Sequence, residues 1–293
     1  MHDYLLSFLL GIIEGLTEFL PVSSTAHLRI SEALLHISLS DPYWKMYSIV
    51  IQLGAILCLP IYFRARIAGL FRKFPRGETA DRTLFNHPLT LVCVAFVVTA
   101  GPAWLLHKKI GANLESLLVI GWSLLIGGIV MWLVDARFGH PPANGRYRTE
   151  RMEEVSLAQA IWIGFCQIFS AVFPGTSRSM STIAAGQVSG MSRSAALEFS
   201  FFLSMPTMIV ATGYDLLKNL RAHAGETALG RMPAGTHEWI VLAIGFVVSF
   251  IVALGVVAWF MNWVRHRGFT PFAIYRIIVG AAVLAWVMLG HGQ

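Results

Sequence analysis

The chain has 293 residues, of which 56% are hydrophobic and only 13% are charged, and its mean hydropathy is +0.64. A soluble domain averages about 25% charged residues, so this composition excludes an ordinary soluble domain and predicts a polytopic membrane protein. The net charge of +6 matches the excess of Lys and Arg that membrane proteins carry on their inner loops. No nucleic-acid partner is therefore predicted.

The first apolar stretch, residues 3–20, is interrupted on one face by two glutamates. Glu14 and Glu18 are four residues apart, so they share one face of a helix. Pro21 ends this helix, because the residue before a proline is driven out of the α conformation. The next helix, about 24–36, is shorter than the roughly 20 residues that crossing a bilayer requires. We therefore predict a re-entrant hairpin, which is tolerated only where its backbone is buried in protein or lines a cavity.

Hydroxyl side chains and a histidine follow the proline. Ser23, Ser24 and Thr25 offer side chains that cap a helix N-terminus, and His27 falls in the first turn of that helix. The free N–H groups and the positive dipole end of the helix make an anion site. Carboxylates, hydroxyls and a histidine around an anion site inside a membrane favour phosphate chemistry.

The rest of the first half is predicted to contain three spans, at 43–63, 87–106 and 117–134. A basic loop at 64–82 separates the first span from the second, and a polar loop at 135–154 follows the third. Pro-Pro and Asn-Gly pairs in the polar loop are typical helix breakers. The two halves of the chain are therefore expected to be joined there.

The second half resembles the first. A shift of 153 positions aligns the following pairs: Gly11 with Gly164, Glu14 with Gln167, Pro21 with Pro174, and Ser24 with Ser177. Ordered matches at a constant offset predict an internal repeat, with repeat one at about 1–138 and repeat two at about 155–293. Repeat two would then contain a second re-entrant pair and three spans, at about 157–190, 195–217, 238–264 and 270–289.

The topology follows from counting crossings. A re-entrant pair returns to its own side and three spans cross an odd number of times, so the two repeats have opposite orientations, as in an inverted repeat. The predicted fold is all-α, with six transmembrane helices and two re-entrant hairpins in one integral membrane domain, 1–293. With the 64–82 loop inside, the inside loops carry twelve Lys and Arg and the outside links six. This bias supports that orientation, in which the first hairpin enters from outside.

The repeat partner of the first break is FPGTSRSMST, residues 173–182. Gly175 permits a close backbone approach, Thr176 and Ser177 can cap a helix, and Arg178 carries a fork of donors that matches phosphate. If the two hairpins meet, two helix N-termini face one pocket. Discontinuous helices at a repeat interface commonly build sites in this way.

The paired glutamates raise an electrostatic question. Two carboxylates would repel a phosphorylated substrate strongly in a low-dielectric site. A divalent cation, Mg²⁺ or Ca²⁺, held by Glu14 and Glu18 resolves this, because it takes carboxylate and phosphate oxygens together. The alternative is that burial and like-charge repulsion keep one carboxyl protonated. We favour the cation.

Three further polar residues fall in or beside apolar spans. Glu198 and Gln52 are predicted to contact the site residues without contacting the substrate, rather than only to join helices. Arg276 follows the 265–275 link and is predicted to be an interfacial anchor.

These motifs resemble the bacterial undecaprenyl-diphosphatases of the bacitracin-resistance family. The resemblance covers nearly the whole chain and rests on EGLTEFLPVSST-H at 14–27, PGTSRS at 174–179, IQLGAI at 51–56, EFSFFLSMP at 198–206 and PFAIYR at 271–276. It implies hydrolysis of a C55 isoprenoid diphosphate to the monophosphate and inorganic phosphate, which recycles the lipid carrier of cell-wall synthesis and gives bacitracin resistance. It also implies a multi-pass protein of the bacterial inner membrane, with a site that faces the periplasm or cell exterior.

The family's functional residues fall on positions already singled out. Its metal-dependent glutamates fall on Glu14 and Glu18, its catalytic hydroxyl and histidine on Ser24 and His27, and its phosphate-binding arginine on Arg178. Further substrate contacts are expected from the two breaks, at Ser23, Thr25, Gly175, Thr176 and Ser177. One difference is that position 176 is Thr where some relatives carry a bulkier residue, which leaves the role of Arg178 unaffected.

The residues suggest a mechanism with open alternatives. Ser24 is expected to attack the terminal phosphorus while His27 or Glu18 takes its proton, and direct attack by water or by His27 stays open. Arg178 and the helix N-termini would stabilise the charge that develops on phosphate oxygens, and the cation would bridge the diphosphate to the glutamates.

A transporter or flippase of a phosphorylated isoprenoid lipid is the rival hypothesis, because inverted repeats with broken helices are a transporter architecture. A transporter needs Arg178 and the helix ends, but it has no need of a hydroxyl beside a carboxylate pair. An enzyme that also flips its product remains a third option. The expected partners are the polyprenyl diphosphate and membrane lipids, and a homodimer is left open.

Overall fold

The computed structural model describes residues 3–75, 84–113, 116–141, 145–221 and 230–290. Every regular element within these ranges is a helix, with twelve α-helices and two short 3₁₀ helices. The all-α class predicted from the sequence is therefore confirmed.

The described residues of the first half of the chain form seven α-helices. In order they are α1 (Asp3–Thr17), α2 (Ser24–Leu34), α3 (Pro42–Ile56), α4 (Cys58–Tyr62), α5 (Arg64–Lys73), α6 (Pro88–Asn113) and α7 (Leu117–Phe138). Asp41 starts α3, because its carboxylate accepts hydrogen bonds from the backbone N–H groups of Tyr43 and Trp44. A 3₁₀ turn, Leu84–Asn86, precedes α6.

The second half begins with a 3₁₀ turn, Met152–Glu154, and contains five α-helices. They are α8 (Leu157–Val172), α9 (Arg178–Val188), α10 (Arg193–Arg221), α11 (Thr236–His266) and α12 (Thr270–Met288). Ser156 and Gln159 start α8 with a capping box, in which each side chain bonds the backbone N–H of the other residue.

Six helical segments are long and apolar enough to cross a membrane by length and composition. They are Pro42–Tyr62, Pro88–Leu106, Leu117–Phe138, Arg193–Lys218, Thr236–His266 and Thr270–Met288. The six predicted spans are therefore confirmed, with ends that differ by a few residues. The helix pairs α1–α2 and α8–α9 lie outside this set and correspond to the two predicted interrupted pairs.

Helices extend further into the basic segments than predicted. Residues 64–73 form α5 instead of a loop, and α5 ends just before Pro75, which cannot continue a helix. The rest of the predicted loop, 76–82, lies outside the described residues. Lys108 and Lys109 belong to α6, and α10 continues to Arg221. The physical reason is that Lys and Arg are good helix formers, so the end of an apolar run does not end a helix.

Close glycine contacts join each interrupted pair to the opposite half of the chain. A Cβ atom at Gly11 of α1 would lie 2.9 Å from the carbonyl oxygen of Gly245 in α11. A Cβ atom at Gly164 of α8 would likewise overlap the backbone of Ala95 in α6. Small residues let membrane helices approach closely in this way. The same packing arrangement thus occurs once in each half of the chain.

The helices α7 and α12 make the third close contact. A Cβ atom at Gly121 would lie 2.9 Å from the side chain of Leu284, and one at Gly280 would lie 2.6 Å from the backbone nitrogen of Leu125. This pairing places the first part of α12 beside both helix breaks, where its side chains contribute to the site described below.

Candidate active site

The first break lies between α1 and α2. Ser23 has a φ of 76°, which is rare for a residue with a side chain, and its Oγ accepts a hydrogen bond from the backbone N–H of Ala26 at 3.4 Å. This bond caps α2, whose first residue is Ser24. Unusual backbone conformations of this kind are concentrated at functional sites.

The second break repeats that geometry between α8 and α9. Ser177 has a φ of 71° and its Oγ accepts a hydrogen bond from the N–H of Met180 at 3.3 Å, so it caps α9. Gly175 has a φ of 94°. A Cβ atom there would lie 2.9 Å from the carbonyl oxygen of Ile120, so glycine is required at this position for two reasons.

The two breaks touch each other. Arg178 Nη2 donates to Glu18 Oε1 at 2.9 Å, and Ser179 Oγ donates to the carbonyl oxygen of Leu20 at 3.0 Å. These contacts bring the N-terminal ends of α2 and α9 to one buried place. The structure thus brings together the predicted site residues of both halves.

Glu18 is the centre of the site. Its Oε2 accepts a hydrogen bond from the Ser24 hydroxyl at 2.5 Å while its Oε1 accepts from Arg178, and the carboxylate is buried. Hydrogen bonds to a charged group are short and strong. A hydroxyl whose proton already points at a carboxylate can transfer that proton when its oxygen becomes a nucleophile.

Glu14 is fully buried one helical turn before Glu18. Neither of its carboxylate oxygens has a hydrogen-bond donor within reach among the described residues, and Arg178 Nη1 has no acceptor among them. A buried carboxylate without a partner is costly, so a ligand is expected beside it.

The donor set at the glutamates suits a cation that is shared with a substrate. Among the residues that the structure describes, no group of three or more His, Cys, Asp or Glu could hold a metal ion. Mg²⁺ is usually held by one or two carboxylates together with substrate phosphates, whereas Ca²⁺ takes 6–8 oxygens. Glu14 and Glu18 would match the carboxylate part of such a Mg²⁺ site, whose remaining ligands would have to come from phosphate and water.

Comparison with known proteins identifies the family of this chain. The family described as Bacitracin resistance protein BacA matches residues 7–282. The chain belongs to this family. It is 66% identical over 290 residues to the undecaprenyl-diphosphatase of Koribacter versatilis, covering 98% of this chain and 99% of the relative. It is 39% identical over 278 residues to the undecaprenyl-diphosphatase of Caldanaerobacter subterraneus, covering 95% of this chain and 94% of the relative. It is 40% identical over 294 residues to that of Xanthomonas oryzae, covering 100% of both chains.

Within this BacA-family chain, His27 does not contact Ser24 directly. Its Nδ1 lies 2.7 Å from the carbonyl oxygen of Ser23, and its Nε2 lies 2.8 Å from the hydroxyl of Tyr275, on whose ring it stacks. Because a carbonyl can only accept, Nδ1 carries a proton and a neutral His27 accepts from Tyr275 at Nε2. The hydroxyl of Ser24 is held by Glu18 instead.

The remaining predicted contact residues lie at the two breaks. Ser23 and Ser177 are buried caps, while Thr25 and Thr176 are partly exposed, in the first turn of α2 and just before the cap of α9. Gly175 is buried against α7. Each of these residues therefore lies within a few positions of Ser24 or Arg178.

Arg276 is the important residue that the sequence analysis placed wrongly. It is fully buried in α12 instead of anchoring at an interface. Its guanidinium donates to the carbonyl oxygens of Pro21, Gly175 and Ser123, at 3.0, 3.0 and 3.1 Å. It thus bonds both breaks at once. The signal was an ionisable residue inside an apolar run, which usually marks a functional position.

Glu198 has a different partner from the one expected. It accepts a hydrogen bond at 2.8 Å from Nε of Arg66, which also pairs with Glu153. It therefore joins α10 to α5 and to the segment before α8, and the prediction that it supports the site residues is wrong. Opposite charges on distant segments are not recognisable as partners from sequence spacing.

Proposed function

We propose that this chain hydrolyses undecaprenyl diphosphate to undecaprenyl phosphate and inorganic phosphate, and thereby recycles the lipid carrier of cell-wall synthesis. The observation that carries the proposal is the Ser24 hydroxyl held 2.5 Å from Glu18, whose other oxygen pairs with Arg178. Two helix N-termini at the same place suit a diphosphate. The relatives carry the name undecaprenyl-diphosphatase and the family name refers to bacitracin resistance.

Ser24 is the proposed nucleophile and Glu18 its base. The Ser24 oxygen bonds to the terminal phosphorus, its proton passes to Glu18 Oε2, and the bond to the bridging oxygen breaks, which releases undecaprenyl phosphate. Water then cleaves the serine–phosphate bond and releases inorganic phosphate. Arg178 offers Nη1, which has no partner among the described groups, to the phosphate oxygens, where it stabilises the charge of the transition state.

We also propose that Glu14 and Glu18 hold Mg²⁺ together with the diphosphate. When bound, the cation would neutralise phosphate charge and polarise the phosphoryl group. The orphaned oxygens of Glu14 support this assignment. Ca²⁺ remains the alternative ion.

The proposed membrane arrangement is an inverted repeat of 1–138 and 155–293 with two re-entrant hairpins. The recurring glycine packing of α1 on α11 and of α8 on α6 supports a repeat, as do the two matching breaks. The excess of Lys and Arg in the segments 64–82 and 135–154 supports placing these segments inside. The proposed location is the inner membrane, with the site open to the periplasm or cell exterior.

The decisive experiment is phosphate release by the purified, detergent-solubilised protein supplied with undecaprenyl diphosphate. Ser24→Ala is expected to abolish release, while Ser38→Ala, an exposed serine in the link before α3, should leave it intact. Trapping a phosphoserine at position 24 would support the covalent route. Full activity in Ser24→Ala would exclude this serine as nucleophile, and no release by the wild type would exclude the phosphatase.

A flippase predicts a different accessibility of the same site. Thr25→Cys in a cysteine-free background is expected to react with an impermeant thiol reagent added to intact spheroplasts. Labelling only after the inner leaflet is exposed would overturn the outward orientation. Labelling from both sides would favour alternating access and therefore the flippase.

A further inference from the structure

An apolar groove of about 640 Å³ lies beside the second break, between α7 on one side and α8 and α9 on the other. Trp162 and Phe169 of α8, with Phe173 just after its end, form one wall, and Met180, Ala184 and Ala185 of α9 form the floor. The floor residues are buried, which makes the groove deep. Its volume is within the range of about 300–1,000 Å³ that is typical of small-molecule sites.

The groove adjoins the second break of the candidate active site. Thr176, two residues before Arg178, lines it, and so does Ser123. The carbonyl oxygen of Ser123 accepts a hydrogen bond from Arg276, which also bonds Gly175 in the second break. From Ser123 the groove continues along α7 to Val134, a distance of about 16 Å at the helical rise per residue.

The groove opens sideways toward the lipid that surrounds a membrane protein. Ile126, Val130 and Phe169 line it and expose 54%, 41% and 50% of their surface. Among the described residues that line it, none is charged. Its ligand is therefore apolar and enters from within the bilayer, because a charged group would lose its hydration there without gaining a partner.

We infer that this groove binds the part of the substrate's polyprenyl chain nearest the diphosphate, an inference that rests on the proposed function. The occupant must place an anionic end at the second break, where Arg178 and the N-terminus of α9 attract phosphate, and an apolar chain along α7. Undecaprenyl diphosphate has both parts in one molecule. An ordinary phospholipid instead keeps its phosphate at the membrane surface.

The consequence is selectivity for long chains. Ala184 lies about 9 Å along α9 from Arg178, so the two-unit chain of geranyl diphosphate ends near it, whereas an undecaprenyl chain continues well past it. Ala184→Phe would fill the floor of the groove at this point. Ala258→Phe is the matched control, because Ala258 is an exposed position on α11, outside the groove.

The test compares kcat/KM for undecaprenyl and geranyl diphosphates in the full-length protein. Ala184→Phe is expected to lower the ratio of the two values by about tenfold or more, as the loss of apolar contacts with the chain requires. The ratio in Ala258→Phe should equal that of the wild type. An unchanged ratio in Ala184→Phe would overturn the inference. Failure of the wild type to hydrolyse either substrate would instead refute the proposed function.

Cross-linking tests the same inference without altering the buried floor. A photoreactive benzoylphenylalanine at Ile126 in the groove is expected to capture undecaprenyl diphosphate. The same residue at Ile251, which is 61% exposed on α11, should not. Equal capture at both positions would mean that the chain is simply dissolved in the surrounding lipid or detergent, and it would contradict a binding groove.

Discussion

The break between α1 and α2 and the break between α8 and α9 are built alike but carry different side chains. In each, a serine with positive φ caps the following helix by accepting a hydrogen bond from the residue three positions on. The first break carries Glu14 and Glu18, whereas the second carries Arg178. The backbone motif is thus used twice, and the chemistry is divided between the two copies.

Gln167 shows why carboxylates in only one of the two halves are favourable. It aligns with Glu14 in the second half, is equally deeply buried, and donates from Nε2 to Thr207 Oγ1 at 3.2 Å. A carboxylate at this position would add a buried negative charge to the second half, which a neutral amide avoids. In the proposed mechanism, one half therefore supplies the base and the nucleophile, and the other supplies the charge that balances them.

Glu18→Gln, in the break that carries the glutamates, should cause the largest loss of phosphate release. It removes the proton acceptor of Ser24 and the partner of Arg178, so phosphate release should fall by about 10³-fold, while the elution volume of the folded protein is unchanged. Glu150→Gln, at an exposed carboxylate before α8, is the control.

If chelator-treated wild type keeps full activity without added Mg²⁺, the metal role of Glu14 and Glu18 is contradicted.

Arg178→Lys tests the basic half. Lysine keeps the charge but loses the planar fork that grips Glu18 and phosphate at once, so kcat should fall by about 100-fold. Arg137→Lys, at an exposed position near the end of α7, should be neutral. Near-normal turnover in Arg178→Lys would mean that Arg178 acts only as a distant counter-charge.

Arg276→Met tests the connection between the halves. It leaves the carbonyl oxygens of Pro21, Gly175 and Ser123 without their donor, which should lower the free energy of unfolding by about 3 kcal/mol and reduce kcat by separating the breaks. Thermal denaturation and turnover measured on the same sample distinguish the two effects. Wild-type stability together with wild-type kcat would refute this role.

Tyr275→Phe should have the smallest effect. It removes the hydroxyl beside His27 Nε2 but keeps the stacked ring. The loss of one hydrogen bond should reduce kcat/KM by about fivefold. A loss as large as that of Glu18→Gln would indicate that His27, held by Tyr275, is the base.

The sequence alone determined the class of fold and most of the residue types at the site. The six spans were recognised because a membrane requires long apolar runs, and their hydropathy is a local property. The two breaks were recognised from Pro21 and Pro174, because a proline disturbs the backbone next to it whatever the rest of the fold.

Which side chains contact one another at the site is known only from the tertiary structure. Arg178 and Glu18 are 160 positions apart, and Arg276 and Pro21 are 255 apart. Such contacts depend on how α1 packs on α11 and α7 on α12, which hydrophobic periodicity does not encode. The Ser24 hydroxyl meets Glu18 instead of His27 directly after Ser23, whose φ of 76° is rare for a serine. That conformation is maintained by the surrounding packing, because the intrinsic preference of serine opposes it.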